Sequence, residues 1–250
     1  MGQIRVYLGK CFRLFRTEKQ WKNFISSFII VAIISLVTGS DMFKAYGATK
    51  SGVFAIVSAC IWAGLFNSIR SVCKERDIIK REYRTGLRIS SYILAHVIYE
   101  AFLCAVEALI VELFVIFRNL SHLPPKGLVF PMVIDMYLTI FLITFASDMI
   151  ALLVSCIVRS ENTAMTIMPF VLVVQLVMSG FIFELKGVSE YISYLTTSRW
   201  GVDAFMALAR TNSDVDLQAL WSGADNAGSL PVNWLILTGF SALYIILAIL

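Results

Sequence analysis

The chain has 250 residues, of which 58% are hydrophobic and only 15% charged, and its mean hydropathy is +0.79. Soluble domains average roughly 45–50% apolar and about 25% charged residues, so this composition excludes an ordinary soluble globule, and it excludes a disordered chain as well. Six membrane-spanning helices of about 20 residues each would use roughly half of the length. The remainder is too short for a large soluble catalytic domain, and the net charge of +4 is modest.

The first predicted element is an amphipathic helix over residues 2–18, within a connecting segment 1–18. Its apolar residues recur at spacings of four, three and four, as expected for one face of a helix. These residues are Ile4, Leu8, Cys11 and Phe15. Arginines along the same segment place positive charge near a lipid surface. The pattern predicts a helix that lies in the membrane interface and does not cross it.

Six apolar stretches follow within residues 19–250 and predict an all-α membrane protein with six transmembrane helices. They lie near 21–37, 52–69, 90–117, 128–158, 163–183 and 232–250. Pro169 falls inside the fifth stretch and should bend or break that helix locally. Of the 21 lysines and arginines, 14 lie in the N-terminal segment, the loop after the second stretch and the loop after the fourth. This bias predicts a cytoplasmic N-terminus.

The loop after the second stretch, residues 71–90, is predicted to form a short amphipathic helix at the cytoplasmic face. Ile79, Tyr83 and Leu87 repeat every four residues, and Asp77 precedes Arg81 by four, which is a favourable helical pair. The charge pattern leaves two interpretations open. The helix either binds lipid headgroups or docks a cytoplasmic partner.

Several ionisable residues lie inside the predicted spans. His96, Glu100 and Glu107 share one face of the third span, and Asp135 and Asp148 interrupt the fourth. Charged groups in a bilayer are costly and usually face protein or water. We favour a hydrogen-bonded polar network that joins the spans. A proton relay, an ion site and a metal site remain alternatives, and we predict no metal site because the ligand set is sparse.

Three groups of residues, in the same order along the chain, resemble the membrane domain of the G subfamily of ABC transporters. The first comprises Glu75-Arg76, Arg81-Glu82-Tyr83, Gly86, Ser90-Ser91-Tyr92-Ile93-Leu94 and Glu100. The second is the run 178–183, which is similar to the end of the family's fifth span. The third, within 188–205, is similar to its outer re-entrant segment. The order of elements agrees over residues 2–250.

The resemblance implies specific roles. Two such domains pair, and each couples to an ATP-binding domain through a coupling helix at about 72–87, while residues 2–16 form the connecting helix and about 184–231 the outer segment. The coupling residues would be Glu75, Arg76, Asp77, Arg81, Glu82 and Tyr83. Substrate would lie at the dimer axis against Ile56, Ala59, Cys60, Ala63, Leu172, Val173 and Leu176. Phe181 and Ile182 would form an apolar gate.

The energy source is predicted to lie outside this sequence. It contains no GxxxxGK[ST] motif and no catalytic motif, so the chain itself is expected to be neither an enzyme nor a cofactor protein, and ATP and Mg²⁺ would be bound by a partner ATPase. Nothing predicts a nucleic-acid partner. The outer segment of this sequence lacks the cysteines that many eukaryotic members have there. This difference favours a bacterial relative, which would lie in the inner membrane. Ala63 stands where some drug exporters place a stacking aromatic residue, which disfavours polyspecific drug binding.

We therefore predict the transmembrane subunit of an ATP-driven exporter that moves a hydrophobic or amphipathic substrate by alternating access at a dimer interface. The alternative is an ion-coupled secondary transporter that uses Glu100, Glu107 and Asp135. A membrane-embedded enzyme acting on lipids is a third possibility, with less support because no nucleophile–base pair stands out.

Overall fold

The computed structural model describes residues 2–17, 22–38, 43, 46–119, 127–181, 183, 185, 187–209 and 230–250, and every regular element in these ranges is an α-helix. Ten helices are described: α1 (Gly2–Thr17), α2 (Lys22–Thr38), α3 (Tyr46–Ser68), α4 (Ser71–Arg84), α5 (Ile89–Arg118), α6 (Met132–Ile157), α7 (Glu161–Val177), α8 (Val188–Ser193), α9 (Thr197–Ala209) and α10 (Leu230–Ile249).

The central helix is α6, which packs against α3, α4, α5, α7, α9 and α10. Its sequence is apolar on all sides, as expected of a helix surrounded by protein. Residues 146–152, about two consecutive turns, are all buried, so this part of α6 is enclosed on every side. The main apolar core of the chain therefore surrounds α6.

The closest packing in the core lies between α3 and α6. A Cβ atom on Gly64 would collide with the backbone carbonyl oxygen of Thr144 and would stand 2.9 Å from the backbone nitrogen of Asp148. Only a residue without a side chain allows the two backbones to approach this closely. Gly64 thus fixes the separation of the two helices that carry most of the core.

The amphipathic character of α1 is satisfied against α5. Cys11 is buried in a small cluster with Tyr99 and Leu103, and the Phe12 ring lies edge-on to the Tyr99 ring at 5.6 Å. Basic residues of α1, such as Arg5 and Arg16, remain exposed. The helix therefore lies along the side of the bundle.

By length and composition, three helical runs among the described residues could cross a membrane: Gly47–Arg84, Met132–Ile157 and Leu230–Ile249. The all-helical class is therefore confirmed, and the count of six spans stays a prediction. Helix α7 is a shorter apolar helix that ends at Val177, before the predicted boundary at residue 183. Pro169 does not break it, since one helix runs from Glu161 to Val177.

The predicted outer segment contains two described helices. Gly187 has a positive φ of 66° and precedes the short helix α8, and α9 follows after a short turn. With 13 residues, α9 is about 20 Å long, too short to span a bilayer. It is nevertheless buried over most of its surface, against α3, α6, α7 and α10. Residues 210–229 of the predicted outer segment lie outside the described residues.

Candidate functional site

Helix α4 presents two different faces. Val72 and Cys73 are buried, and Ile79 is half-buried. The opposite face is exposed and carries both charged and apolar side chains, namely Lys74, Asp77, Ile78 and Arg81. Lys80, Tyr83 and Arg84 are also exposed, but they lie on the side of Val72 and Ile79. Ile78, an apolar residue among these charges, is 48% exposed. The exposed face is thus a mixed surface suited to a protein contact.

Glu75 joins α4 to two other helices. Its Oε2 atom lies 2.9 Å from the Lys10 ammonium of α1 and accepts a hydrogen bond of 3.0 Å from the Tyr92 hydroxyl of α5. The carboxylate side chain is only 13% exposed. The Tyr7 and Tyr92 rings meet edge-on at 5.5 Å beside it. This junction, formed by Tyr7, Lys10, Glu75 and Tyr92, fixes α4 against α1 and α5.

A second contact holds the end of α4. The Tyr7 hydroxyl donates a 2.6 Å hydrogen bond to Glu82. Burial and the neighbouring carboxylate raise the pKa of Tyr7 to about 12. The hydroxyl therefore remains a donor throughout the physiological range, and the stability that it contributes is lost only as the pH rises from about 10 through about 12.

The chain leaves α4 through a Schellman motif. Gly86 has φ of 103°, its N–H bonds to the Tyr83 carbonyl, and the Leu87 N–H bonds to the Glu82 carbonyl. The side chain of Gln3 then spans this turn, donating to the Gly86 carbonyl and accepting from the Arg88 N–H. The start of α1 is thereby fixed to the turn between α4 and α5.

The start of α4 is bound to the end of α6. The Ser155 hydroxyl accepts hydrogen bonds from the N–H groups of Val72 and Cys73, both at 3.1 Å, and so satisfies two donors that a helix start leaves free. Arg76 donates a 2.6 Å bond to the Val158 carbonyl, which caps the C-terminus of α6. The start of α4 and the end of α6 therefore satisfy each other's unpaired backbone groups.

These contacts divide the predicted coupling residues into two groups. Glu75, Arg76 and Glu82 bond within the chain and position α4, whereas Asp77 and Arg81 lie on its exposed face. Tyr83 is 58% exposed. The supporting residues Gln3, Tyr7 and Ser155 were missed by the sequence analysis. The helical periodicity of 2–18 predicted an apolar face on α1, which was assigned to the membrane interface and not to α5.

The predicted substrate residues do not share one open surface. On α3, the side chains of Ile56, Ala59, Cys60 and Ala63 are all buried in the core. On α7, Leu172 is buried and Leu176 is half-buried, while Val173 is 55% exposed. The half-buried stripe of α3 instead carries Phe54, Ala55, Ser58, Trp62 and Phe66. Ala59 and Ala63, which the resemblance places against the substrate, therefore pack inside this bundle.

Phe181, one of the two predicted gate residues, stacks on Phe54 of α3. The ring centroids are 4.4 Å apart and the rings are nearly parallel, at 11°. The Lys50 ammonium lies 5.1 Å from the Phe181 centroid. Gly180, with φ of 72°, makes the turn that brings Phe181 there. Ile182 lies outside the described residues.

The buried acids form a partial network. Asp148 accepts hydrogen bonds from the Ser68 hydroxyl and, at 3.5 Å, from the Cys104 thiol, and Glu107 accepts a 2.8 Å bond from the Asn67 amide. These bonds link α3, α5 and α6. Nδ1 of His96 and Oε2 of Glu100 are buried with no hydrogen-bond partner among the described residues.

Asp135 lies apart from this network. It is thirteen residues before Asp148, about 20 Å along α6. Its carboxylate accepts hydrogen bonds of 2.8–3.0 Å from the N–H groups of Leu128, Val129 and Phe130. The fourth apolar stretch therefore begins as a turn that Asp135 holds against the start of α6, and the helix begins at Met132. In the part of the chain that is described, no group of three His, Cys, Asp or Glu side chains could hold a metal.

Comparison with known proteins gives the family. The profile of the family described as ABC-2 type transporter matches residues 2–209. The chain belongs to the ABC-2 type transporter family. An ABC transporter ATP-binding/permease protein of Mycobacterium tuberculosis is 29% identical over 167 residues, which cover 65% of this chain and 18% of that protein. The resemblance to an ABC transporter membrane domain is thus confirmed.

Membership of the ABC-2 family identifies the chain as a permease component of an ABC transporter. The matched range runs from α1 through α9 and so includes the whole assembly around α4. It also includes Gln175, a residue that the sequence analysis overlooked. Its Oε1 atom accepts hydrogen bonds from Thr197 and from the Ser198 N–H, and so caps the start of α9 in this ABC-2 domain.

Proposed function

We propose that this chain is the membrane-spanning half of an ATP-driven exporter, and that α4 is the helix through which an ABC ATPase moves it. The observation that carries the proposal is the two-faced geometry of α4. Three of its charged side chains bond within the chain, while Asp77, Ile78 and Arg81 are free to contact a partner surface. Family membership and the ATP-binding/permease relative support the same assignment.

Coupling requires that α4 move as one body with the bundle. The Glu75 junction ties it to α1 and α5, Arg76 and Ser155 tie it to α6, and Glu82 adds a second bond to α1. When ATP draws two ATPase domains together, the two α4 helices of a dimer would approach each other. This motion would convert an inward-open cavity into an outward-open one.

The transport pathway is proposed to lie between two copies, along α3 and α7. The half-buried stripe of α3 and the exposed face of α7, with Met165, Phe170, Val173 and Val174, offer apolar lining. Such a surface suits a hydrophobic or amphipathic substrate. Phe181 on Phe54 would close the pathway toward the outer side. We further propose six spans, a re-entrant α8–α9 segment, a cytoplasmic N-terminus and a place in a bacterial inner membrane.

Replacing Arg81 with glutamate tests the docking face. The full chain is reconstituted with the ABC ATPase encoded in the same or the neighbouring gene, and ATP hydrolysis and co-purification are measured. Because Arg81 is exposed and takes no part in the described contacts that hold α4 in place, R81E should reduce complex formation and coupled hydrolysis at least several-fold with unchanged thermal stability. Arg16→Glu, an equal charge change on α1, is the control.

Equal coupling in R81E and R16E would refute α4 as the docking helix. The ion-coupled alternative has a separate outcome. Transport by the chain in vesicles that carry a proton gradient but no ATPase would support that alternative and refute the ATP-driven exporter. The separation of Asp135 from Glu100 and Glu107 weakens the ion-coupled site that was predicted from these three residues.

A further inference from the structure

A pocket opens at the end of the bundle where α5 begins and α6 and α10 end. Its volume is about 600 Å³, within the range of sites that hold small molecules. Apolar side chains form most of its walls, among them Ile93, Leu153, Cys156 and Ala248. No residue of this pocket belongs to the pathway or to the docking contacts proposed above, apart from Arg76 and Tyr92, which position α4, and Tyr83 at the edge of the docking face.

One side of the pocket is strongly basic. Arg76, Lys80 and Arg84 line it from α4, at successive spacings of four residues, so they form one stripe along the helix. None of the lining residues is acidic. Among the described residues, the Lys80 ammonium lies 3.9 Å from the carboxylate of Asp77, which is 90% exposed. The stripe therefore keeps most of its positive charge.

The start of α5 adds to this positive field. Its N-cap residue, Arg88, makes no side-chain capping bond, and the first turn contains no acidic residue. The unpaired N–H groups of a helix start favour an anion. Ile89 of this turn lines the same pocket and is 39% exposed.

The rim of the pocket is apolar and open. Ile157 at the end of α6 is 69% exposed, and Leu247 of α10 is 46% exposed. A molecule in the pocket would thus contact basic side chains on one side and apolar side chains on the other. The pocket lies at the ends of α6 and α10, which are long enough to cross a bilayer. This combination matches a lipid with an anionic headgroup and an acyl chain, since a soluble anion would not use the apolar rim.

We propose that this pocket binds an anionic phospholipid, with the headgroup phosphate at Arg76, Lys80 and Arg84 and an acyl chain along Ile157 and Leu247. The lipid would fill the space between α4 and the ends of α6 and α10. Anionic lipid would then stiffen the link between α4 and the bundle. The location in the cytoplasmic leaflet rests on the proposed orientation, but the binding itself does not.

Native mass spectrometry of the purified full chain tests the binding, with phosphatidylglycerol and phosphatidylcholine of equal chain length as probes. We expect preferential retention of phosphatidylglycerol, and a loss of about tenfold in its affinity in Lys80→Gln/Arg84→Gln. Arg81→Gln/Arg16→Gln removes the same charge from exposed positions outside the pocket and should keep the preference. Ile157→Asn should weaken the binding of both lipids, because it removes apolar contact and leaves the charge of the pocket unchanged.

Equal retention of the two lipids, or equal loss in both double variants, would overturn the proposal. Protein extended by any native residues that follow Leu250 is measured in parallel. If the extended protein retains no phosphatidylglycerol, the pocket belongs to that segment and the proposal fails. The ATPase is absent from these measurements, so failure of the coupling role and failure of lipid binding are distinguished.

Discussion

Two acids separated by one residue on α4 have different surroundings. Glu75 contacts Lys10 and Tyr92 and is 13% exposed, whereas Asp77 is 90% exposed. The difference arises from tertiary contacts, because Lys10 lies 65 residues before Glu75 in the sequence.

Replacing Glu75 with alanine should lower the free energy of unfolding by about 1–3 kcal/mol, because the buried Tyr92 hydroxyl and the half-buried Lys10 ammonium lose their acceptor. The matched change Asp77→Ala should alter it by no more than about 0.5 kcal/mol. Thermal unfolding of the detergent-solubilised protein measures both. If the two variants lost equal stability, the Glu75 junction would not be a structural contact.

At the scale of elements, the packing of α3 on α6 depends on one missing side chain. Gly64→Ala should destabilise the chain by about 1–3 kcal/mol, because the added methyl group meets the rigid backbone of α6. Gly239→Ala in α10 is the control, since nothing lies within 4 Å of its added Cβ. Denaturation in mixed detergent compares the two, and a neutral Gly64→Ala would contradict the close approach.

The helices themselves could be predicted from the sequence more fully than the faces through which they pack. Hydropathy predicted apolar helices near the observed ones, and the charge pattern of 71–90 predicted α4, because both depend on local residues. The side of α3 that faces the core could not be predicted, since small residues such as Ala59 and Ala63 suit both packing and cavity lining. Asp135 was misplaced for a different reason: its three partners precede it in a turn whose apolar sequence resembles a helix. Pro131, one residue before α6, was a signal for that boundary.

At the scale of the whole molecule, a large apolar face on α7 has no partner among the described helices. Phe170, Val173 and Val174 are each more than half exposed. If two copies pair across a two-fold axis beside α7, each of these residues lies close to its own counterpart in the other copy.

Val173→Cys should therefore form a covalent dimer when membranes are treated with a short bismaleimide. Leu235→Cys, on an α10 side chain that is 74% exposed, should not. The native cysteines are buried or half-buried and should give little background. Gel electrophoresis reads out the dimer. Cross-linking through Leu235 but not Val173 would place the interface on α10.

The bonds between the start of α4 and the end of α6, made by Ser155 and by Arg76, have a mechanical consequence. They join α4 to one end of α6. At the other end of α6, Asp135 accepts hydrogen bonds from the 128–130 turn. Helix α6 has 26 residues, is about 39 Å long and packs against six other described helices, so we expect it to act as a strut between the two ends of the bundle. We therefore expect a displacement of α4 to produce a displacement of similar size at the 128–130 turn. Spin labels placed at residues 77 and 129 should then both change position on ATP binding. A change at residue 77 alone would show that α6 bends and does not transmit the motion.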